Sequence, residues 1–256
     1  TSWATDNSFL DQIEVLTFVD GGKSIDWMID SGATVQNLLT KGSLKHLTHQ
    51  LKKTPKEHFA DIKATIDLAA QHHIKTNVYL EDWSNGMRDS KAYVFEYLDF
   101  LSAQNIERLL LPDTLGVLTP EETFKFITEV REKYPTLHID FHGHNDYDLG
   151  VANVMQALNA GTNGLHLTIN GMGERAGNAP MASVIAVIND FVKNFGRFIS
   201  IIDNKDLKKK LDFIEMRKYI RKYFNDLKWK NLEFKNSCIN NENIIKTRFA
   251  TLNNSQ

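Results

Sequence analysis

Cysteine and long apolar runs are nearly absent from this sequence of 256 residues. The one cysteine, Cys238, excludes a disulfide framework and is typical of a protein from a reducing compartment. No apolar run approaches the ~20 residues that a membrane-spanning helix needs, so we expect no membrane partner. Residues 1–6 lack the basic and apolar regions of a signal peptide, and a cytoplasmic protein is therefore expected.

Charge divides the chain into two parts. Residues 195–256 contain 14 lysines and arginines against 7 aspartates and glutamates, with one glycine and no proline. We predict that this part is a basic tail, partly helical and partly irregular, after a domain in residues 1–194. Helical lysines usually form a solvated face, and no nucleic-acid motif accompanies them, so we predict no nucleic-acid partner.

Six short apolar runs in residues 1–194 are candidate β-strands. Most of them are almost continuously hydrophobic, which is typical of buried parallel strands. The runs are Ile13 to Phe18, Val35 to Leu39, Asn77 to Leu80, Arg108 to Leu111, His138 to Phe141 and Leu165 to Ile169.

Helical patterns separate these runs. Thr54-Pro55-Lys56-Glu57 predicts a capping box at the start of one helix, and Thr119-Pro120-Glu121-Glu122 predicts a second. In the second helix we expect Phe124, Ile127 and Val130 to face inward. Alternating strands and helices predict an α/β fold, either a doubly wound sheet or a (β/α)₈ TIM barrel.

Polar residues at the ends of successive runs favour the barrel, because active sites of barrels collect at the carboxyl ends of the strands. These residues are Glu81-Asp82, Asp113-Thr114, His142 with His144, and Thr168. A complete barrel takes ~250 residues. Six βα units in the first 194 residues therefore predict an incomplete barrel, two strands short.

His142 and His144 are two residues apart at a strand end, so their side chains point to one face and can bind one divalent metal. Asn178 is a candidate oxygen ligand to the same ion, although the N-cap of the next helix is a strong alternative role. Asp140 shares the histidine face and either orients an imidazole or pairs with a Lys or Arg. We expect the other seven histidines to be surface or filler residues.

The remaining site candidates also have ordinary alternatives. Glu81 is either a proton-handling carboxylate near substrate or a loop carboxylate. Thr114 and Thr168 either bind substrate carboxylates or serve as β-formers. Glu174 and Arg175, in the glycine-rich segment from Gly171 to Gly177, either face substrate or form a surface ion pair.

Together these motifs resemble the 2-isopropylmalate synthase and homocitrate synthase family, over roughly residues 10–193. The motifs that carry the resemblance are His142-Gly143-His144-Asn145-Asp146, Thr168 to Asn178, Leu80-Glu81-Asp82 with Arg88, and Pro112-Asp113-Thr114-Leu115-Gly116. Such enzymes are metal-dependent barrels that condense acetyl-CoA with an α-keto acid.

The resemblance implies that His142, His144 and Asn178 bind Mn²⁺ or Mg²⁺, and that Thr168 and Glu81 face the substrates. Among α-keto acids we choose 2-oxoisovalerate, which gives 2-isopropylmalate in leucine biosynthesis, and place 2-oxoglutarate second. The alternatives are a homocitrate or citramalate synthase, a metal-dependent aldol-type lyase and an inactive truncated remnant.

Two departures from the family pattern concern its first and last parts. The Arg-Asp-Gly motif of the family's first strand, which supplies a metal carboxylate, occurs nowhere in this chain. After about Asn194 the family's C-terminal subdomain has no counterpart, and the basic tail stands in its place. We therefore expect exposed sheet edges and apolar interior positions, and a homo-oligomer if the chain folds.

Overall fold

A computed structural model of the chain describes residues 9–195, with side chains up to residue 190. A short 3₁₀ turn, Leu10–Gln12, precedes six strands: β1 (Val15–Phe18), β2 (Val35–Lys41), β3 (Lys75–Glu81), β4 (Arg108–Asp113), β5 (Ile139–Gly143) and β6 (Gly164–His166). The helices are α1 (Lys23–Ser31), α2 (Pro55–Gln71), α3 (Trp83–Asp89), α4 (Lys91–Ser102), α5 (Pro120–Lys133), α6 (Gly150–Asn159) and α7 (Met181–Phe195). Between β2 and α2, a single helical turn, Leu44–His46, runs into a π-helical turn, Leu47–Leu51.

The six strands form one parallel sheet in chain order, with each strand paired to the next. This arrangement confirms the predicted α/β fold of TIM-barrel type with six βα units. Within the described residues β1 pairs only with β2, and β6 only with β5, so both outer strands have a free edge. The predicted basic tail lies outside the described residues from position 196 onward.

One face of the sheet packs against the helices and forms the main core. Because side chains alternate along a strand, every second residue of β2 to β5 enters this helix-covered face. Its fully buried strand residues are Leu38, Val78, Leu80, Leu109, Leu111, Ile139 and Phe141. They pack against helix residues such as Ile62, Leu98 and Ile127, which are also fully buried.

The opposite face, here called the open face, carries polar side chains that contact one another across strands. It comprises Glu14, Leu16 and Phe18 around β1, Asn37 and Lys41 of β2, Asn77, Tyr79 and Glu81 of β3, Arg108 of β4, Asp140 and His142 of β5, and His166 of β6. Leu16 and Phe18 are 51% and 46% exposed. The expected exposure of apolar interior positions beside a free sheet edge is therefore confirmed.

Local sequence signals set the helix starts. Both predicted capping boxes are present: the Thr54 hydroxyl accepts from the Glu57 N–H, and the Thr119 hydroxyl accepts from the Glu122 N–H. The prediction that Phe124 faces inward is wrong, because it is 43% exposed. The buried stripe of α5 is Thr123, Phe126, Ile127 and Val130, at the i, i+3, i+4, i+7 spacing of one helix face.

The last predicted strand is shorter than expected. β6 ends at His166, and Ile169–Gly171 forms a 3₁₀ turn instead of extending the strand. Thr168, just after β6, forms an isolated parallel bridge with Pro180, just before α7. None of the helices in the described residues has the length and apolar character to cross a membrane.

Candidate active site

The predicted metal ligands converge at the carboxyl end of β5. His142 lies within β5, and His144, just beyond it, forms an antiparallel bridge with Asn178. The ring centroids of His142 and His144 are 5.2 Å apart. The Asn178 Nδ2 is 3.3 Å from the His142 Nε2, so the amide and one imidazole are in direct contact. The structure therefore brings the three residues together, while their binding of a metal stays a prediction.

Glycines let the segment after β6 fold tightly beneath Asn178. The Asn178 N–H donates to the Gly171 carbonyl, and the Asn145 N–H donates to the Gly177 carbonyl. A Cβ on Gly177 would lie 2.0 Å from the Gly171 oxygen, and one on Gly173 would lie 1.9 Å from the Asn178 Oδ1. These close approaches require glycine.

The alternative role of Asn178 as a helix N-cap is wrong. α7 begins at Met181, and the Pro180 carbonyl accepts the helical hydrogen bond from the Val184 N–H. Pro180 therefore occupies the cap position, and the Asn178 side chain points to the histidines instead.

The electrostatics of the site favour neutral imidazoles. Burial, together with the charges of His166 and His144, lowers the pKa of His142 to about 3. Burial and the charge of Arg175 also lower the pKa of His144. A metal ligand must be the neutral imidazole, so both rings are in the ligand form at neutral pH.

The nitrogen of His142 that would face a cation is Nε2, which lies beside the Asn178 amide. Within residues 9–190, the Nδ1 atoms of His142 and His144 are buried and have no hydrogen-bond partner. The Asn178 oxygen lies toward Gly173, and a half-turn of the amide would direct it to His142. Among the described residues, no three His, Cys, Asp or Glu side chains form a metal cluster by themselves.

Glu81 lies at the end of β3 and is held by the Lys41 side chain. The Lys41 Nζ is 2.5 Å from the Glu81 Oε2, directly across the β2–β3 pair. The His46 Nδ1 is 3.7 Å from the other oxygen. The described contacts of Glu81 do not include His142, His144 or Asn178, so its catalytic role stays a prediction.

Lys41 has no counterpart in the sequence predictions, yet buried side chains fix its backbone. Its N–H donates to the His58 Nε2 at 3.2 Å, and its carbonyl accepts from the Tyr93 hydroxyl at 2.8 Å. The expectation that His58 is a surface or filler residue is therefore wrong. Lys41 could have been predicted as a partner of Glu81 only from the register of β2 and β3, which pairs these two residues.

The two predicted substrate-binding threonines differ in their contacts. The Thr114 hydroxyl accepts from the Asp82 N–H at 2.8 Å and so supports the turn after β3, where Asp82 has a φ of 65°. The Thr168 hydroxyl is buried and has no hydrogen-bond partner within the part of the chain that the structure describes. Thr168 thus has an unused donor, which a substrate carboxylate could accept.

Arg175 links the loops that follow three strands. Its guanidinium donates to both oxygens of Asp146, at 2.7 and 2.9 Å, and to the Thr114 carbonyl at 2.7 Å. The hydrogen bond from Arg175 lowers the pKa of Asp146. The Glu174 side chain is 81% exposed and 3.6 Å from Arg175, which agrees with a weak surface pair. The substrate-binding roles of both residues stay predictions.

A further histidine, His166, belongs to this site although we expected a surface or filler role. Its ring centroid is 5.8 Å from that of His142, and its Nδ1 is 2.5 Å from the Tyr79 hydroxyl. Its Nε2 is 3.2 Å from Asp140, and Arg108 contacts the same carboxylate at 3.1 Å. Asp140 therefore pairs with an arginine and orients His166, not His142 or His144.

Comparison with known proteins gives a consistent family. The HMGL-like family model matches residues 19–220. The chain is 31% identical to a homocitrate synthase of Sulfolobus acidocaldarius over 66% of its length, which is 35% of that enzyme. It is 31% identical to a 2-isopropylmalate synthase of Prochlorococcus marinus over 60% of its length, which is 28% of that enzyme.

Other relatives differ in length and in kind. A homocitrate synthase subunit alpha of Clostridium pasteurianum is 29% identical over 74% of this chain and 70% of that subunit. The chain spans about a third of the length of several other curated relatives that it matches. A hydroxymethylglutaryl-CoA lyase from Pseudomonas aeruginosa shares the fold, with a TM-score of 0.62 at 16% identity over 80% of this chain and 75% of that one.

Proposed function

The chain belongs to the HMGL-like family, and from this we propose that it carries the metal-binding and substrate-binding part of an acyltransferase. The reaction proposed is the condensation of acetyl-CoA with an α-keto acid. Relatives named as homocitrate and 2-isopropylmalate synthases support this class. We choose 2-oxoisovalerate as the keto acid, and with it a place in leucine biosynthesis.

The observation that carries the proposal is the convergence of His142, His144 and Asn178. Two imidazoles of lowered pKa and one amide lie within contact of each other at the carboxyl ends of the strands. Nitrogen and amide oxygen donors suit Mn²⁺, and also Mg²⁺ where water completes the ligand set. When bound, this cation would act as a Lewis acid that polarises the keto carbonyl.

The other residues of the candidate site have roles that follow from their chemistry. Thr168 offers a free hydroxyl donor to the keto-acid carboxylate. Glu81, oriented by Lys41, accepts a proton from the acetyl-CoA methyl group. The electron pair left on that carbon forms a C–C bond with the keto carbon as the C=O π bond breaks, and the keto oxygen takes up a proton to become a hydroxyl. Hydrolysis of the thioester then releases free CoA. Arg175 holds the loops around the substrate by its bonds to Asp146 and Thr114.

Free-thiol release tests the reaction. The full chain is incubated with acetyl-CoA, Mn²⁺ and one keto acid at a time: 2-oxoisovalerate, 2-oxoglutarate or pyruvate. We expect thiol release that depends on both the keto acid and the metal, fastest with 2-oxoisovalerate. No release above the buffer rate with any keto acid would contradict the proposed reaction for this chain.

Metal binding tests the site independently of turnover. We expect Mn²⁺ binding by calorimetry to be lost in His142→Ala and His144→Ala. His72→Ala is the matched control, because His72 is an exposed histidine at the end of α2. Equal binding by all three variants would place the metal elsewhere.

A further inference from the structure

A network of polar contacts on the open face runs from Asp140 through His166 to Tyr79, and its last two members contact His142. At its base Asp140, only 2% exposed in its side chain, contacts Arg108 at 3.1 Å and His138 at 2.9 Å. Arg108 in turn forms an ion pair with Glu14. A Cβ on Gly164 would lie 2.2 Å from the Asp140 Oδ1, so the neighbouring strand leaves room for this carboxylate only because it has glycine there.

The chemistry of Asp140 sets the direction of the hydrogen bonds above it. Its Oδ2 lies 3.1 Å from the Arg108 guanidinium, and a guanidinium pairs with an ionised carboxylate. An ionised carboxylate only accepts, so the His166 Nε2 must donate to it. The His166 Nδ1 is then free to accept the Tyr79 hydroxyl proton across 2.5 Å.

Tyr79 and His166 both contact the His142 ring. The Tyr79 ring meets the His142 ring edge-on, with centroids 5.7 Å apart and an interplanar angle of 82°. The His166 ring meets it at 5.8 Å and 87°. The His142 Nδ1 has no hydrogen-bond partner among the described residues. These two rings therefore restrict the rotation of His142 together with the His144 ring, 5.2 Å away, and the Asn178 amide, 3.3 Å from Nε2.

We infer that Tyr79 and His166, anchored by Asp140, are positioning residues that fix the imidazole of His142. Metal-binding histidines are usually oriented by a hydrogen bond from their second nitrogen. For His142, ring contacts with Tyr79 and His166 take the place of a hydrogen bond from Nδ1. The Tyr79–His166 hydrogen bond holds these two side chains in position. The inference rests on the proposed function, since it concerns the orientation of a proposed metal ligand.

Mn²⁺ affinity measured by calorimetry is the first test. Tyr79→Phe keeps the aromatic edge but removes the hydroxyl, and we expect the dissociation constant to rise by about tenfold. His166→Ala removes one edge and the anchor, and a rise toward ~100-fold is expected. Tyr134→Phe is the matched control, because its buried hydroxyl bonds to Asp99 at 2.6 Å in the helix layer.

Imidazole ¹H–¹⁵N spectra of the metal-free chain are the second test. We expect Tyr79→Phe to shift the ring signals of both His166 and His142, while Tyr134→Phe leaves them in place. Dissociation constants for Tyr79→Phe and His166→Ala within twofold of the control would overturn the inference. If the wild-type chain does not bind Mn²⁺, the proposed function fails, and unchanged His142 signals in Tyr79→Phe would then reject the positioning role separately.

Discussion

The two faces of the sheet differ in how their side chains are satisfied. On the helix-covered face, strand residues such as Leu80 and Phe141 are fully buried in an apolar core. On the open face, neighbouring positions of the same strands carry Glu81 and Asp140, which are held by ion pairs and hydrogen bonds. Because side chains alternate between the two faces of a strand, the same strands contribute apolar residues to the core and polar residues to the candidate site.

Paired aromatic truncations test this division and carry the largest expected effect. Phe141→Ala removes a fully buried ring and should lower the free energy of unfolding by about 3–5 kcal/mol in urea denaturation. Phe18→Ala removes a ring that is 46% exposed and should cost below about 1 kcal/mol. A large cost for Phe18→Ala that grows with protein concentration would mean that β1 is covered by a second copy, as the expected homo-oligomer requires.

Acid sensitivity tests the helix layer next. His58 is buried, and burial and the charge of Lys53 lower its pKa from 6.5 to about 4. The unfolded chain therefore binds the proton first, and stability is lost as the pH falls from 6.5 to 4. The loss expected from this group is about 3 kcal/mol, because each pKa unit corresponds to ~1.4 kcal/mol.

The matched variant for this titration is His58→Gln, whose amide oxygen can accept from the Lys41 N–H in place of the imidazole. Urea denaturation of both proteins at pH 7, 5.5 and 4 measures the difference. We expect the wild type to lose more stability than the variant over this interval. Parallel pH profiles would mean that His58 is charged in the folded chain.

Local signals predicted much of the helix-covered face. The Thr-Pro-x-Glu segments at Thr54 and Thr119 fix helix starts within four residues, so both were predictable without tertiary information. The error at Phe124 was one of helical phase, because Phe124, Ile127 and Val130 follow a spacing of three that drifts across the helix surface. The buried stripe combines spacings of three and four.

The open face was predictable only in part. His142 and His144 were found because their spacing of two is itself the strand period. Lys41 and His166 were missed because their contacts with Glu81 and Asp140 depend on the strand register, which joins residues 40 and 26 positions apart. Asn178 was ambiguous because the exact start of α7 decides between a cap and a site residue.

A methyl group added at Gly173 tests whether the position of the Asn178 amide matters for metal binding. Gly173→Ala would place a Cβ 1.9 Å from the Asn178 Oδ1, although Gly173 has an ordinary backbone φ. We expect the displaced amide to weaken Mn²⁺ binding on the order of 10–100-fold, measured by calorimetry. The adjacent Met172→Ala, at a side chain that is 53% exposed, should leave the affinity unchanged. Equal affinities for both variants would remove Asn178 from the ligand set.

The smallest expected effect concerns two threonine hydroxyls, one that caps a helix and one that is proposed to bind substrate. Thr119→Ala removes the capping box of α5 and should cost about 1 kcal/mol of unfolding free energy. Thr168→Val removes a buried hydroxyl that has no hydrogen-bond partner in residues 9–190, so stability should stay the same or rise slightly. Under the proposed function, Thr168→Val should instead raise the KM for the keto acid, since the unused donor is then missing. A stability loss for Thr168→Val equal to that for Thr119→Ala would show that the Thr168 hydroxyl stabilises the fold, and the candidate site would then have no unpaired hydroxyl donor at Thr168 for the substrate.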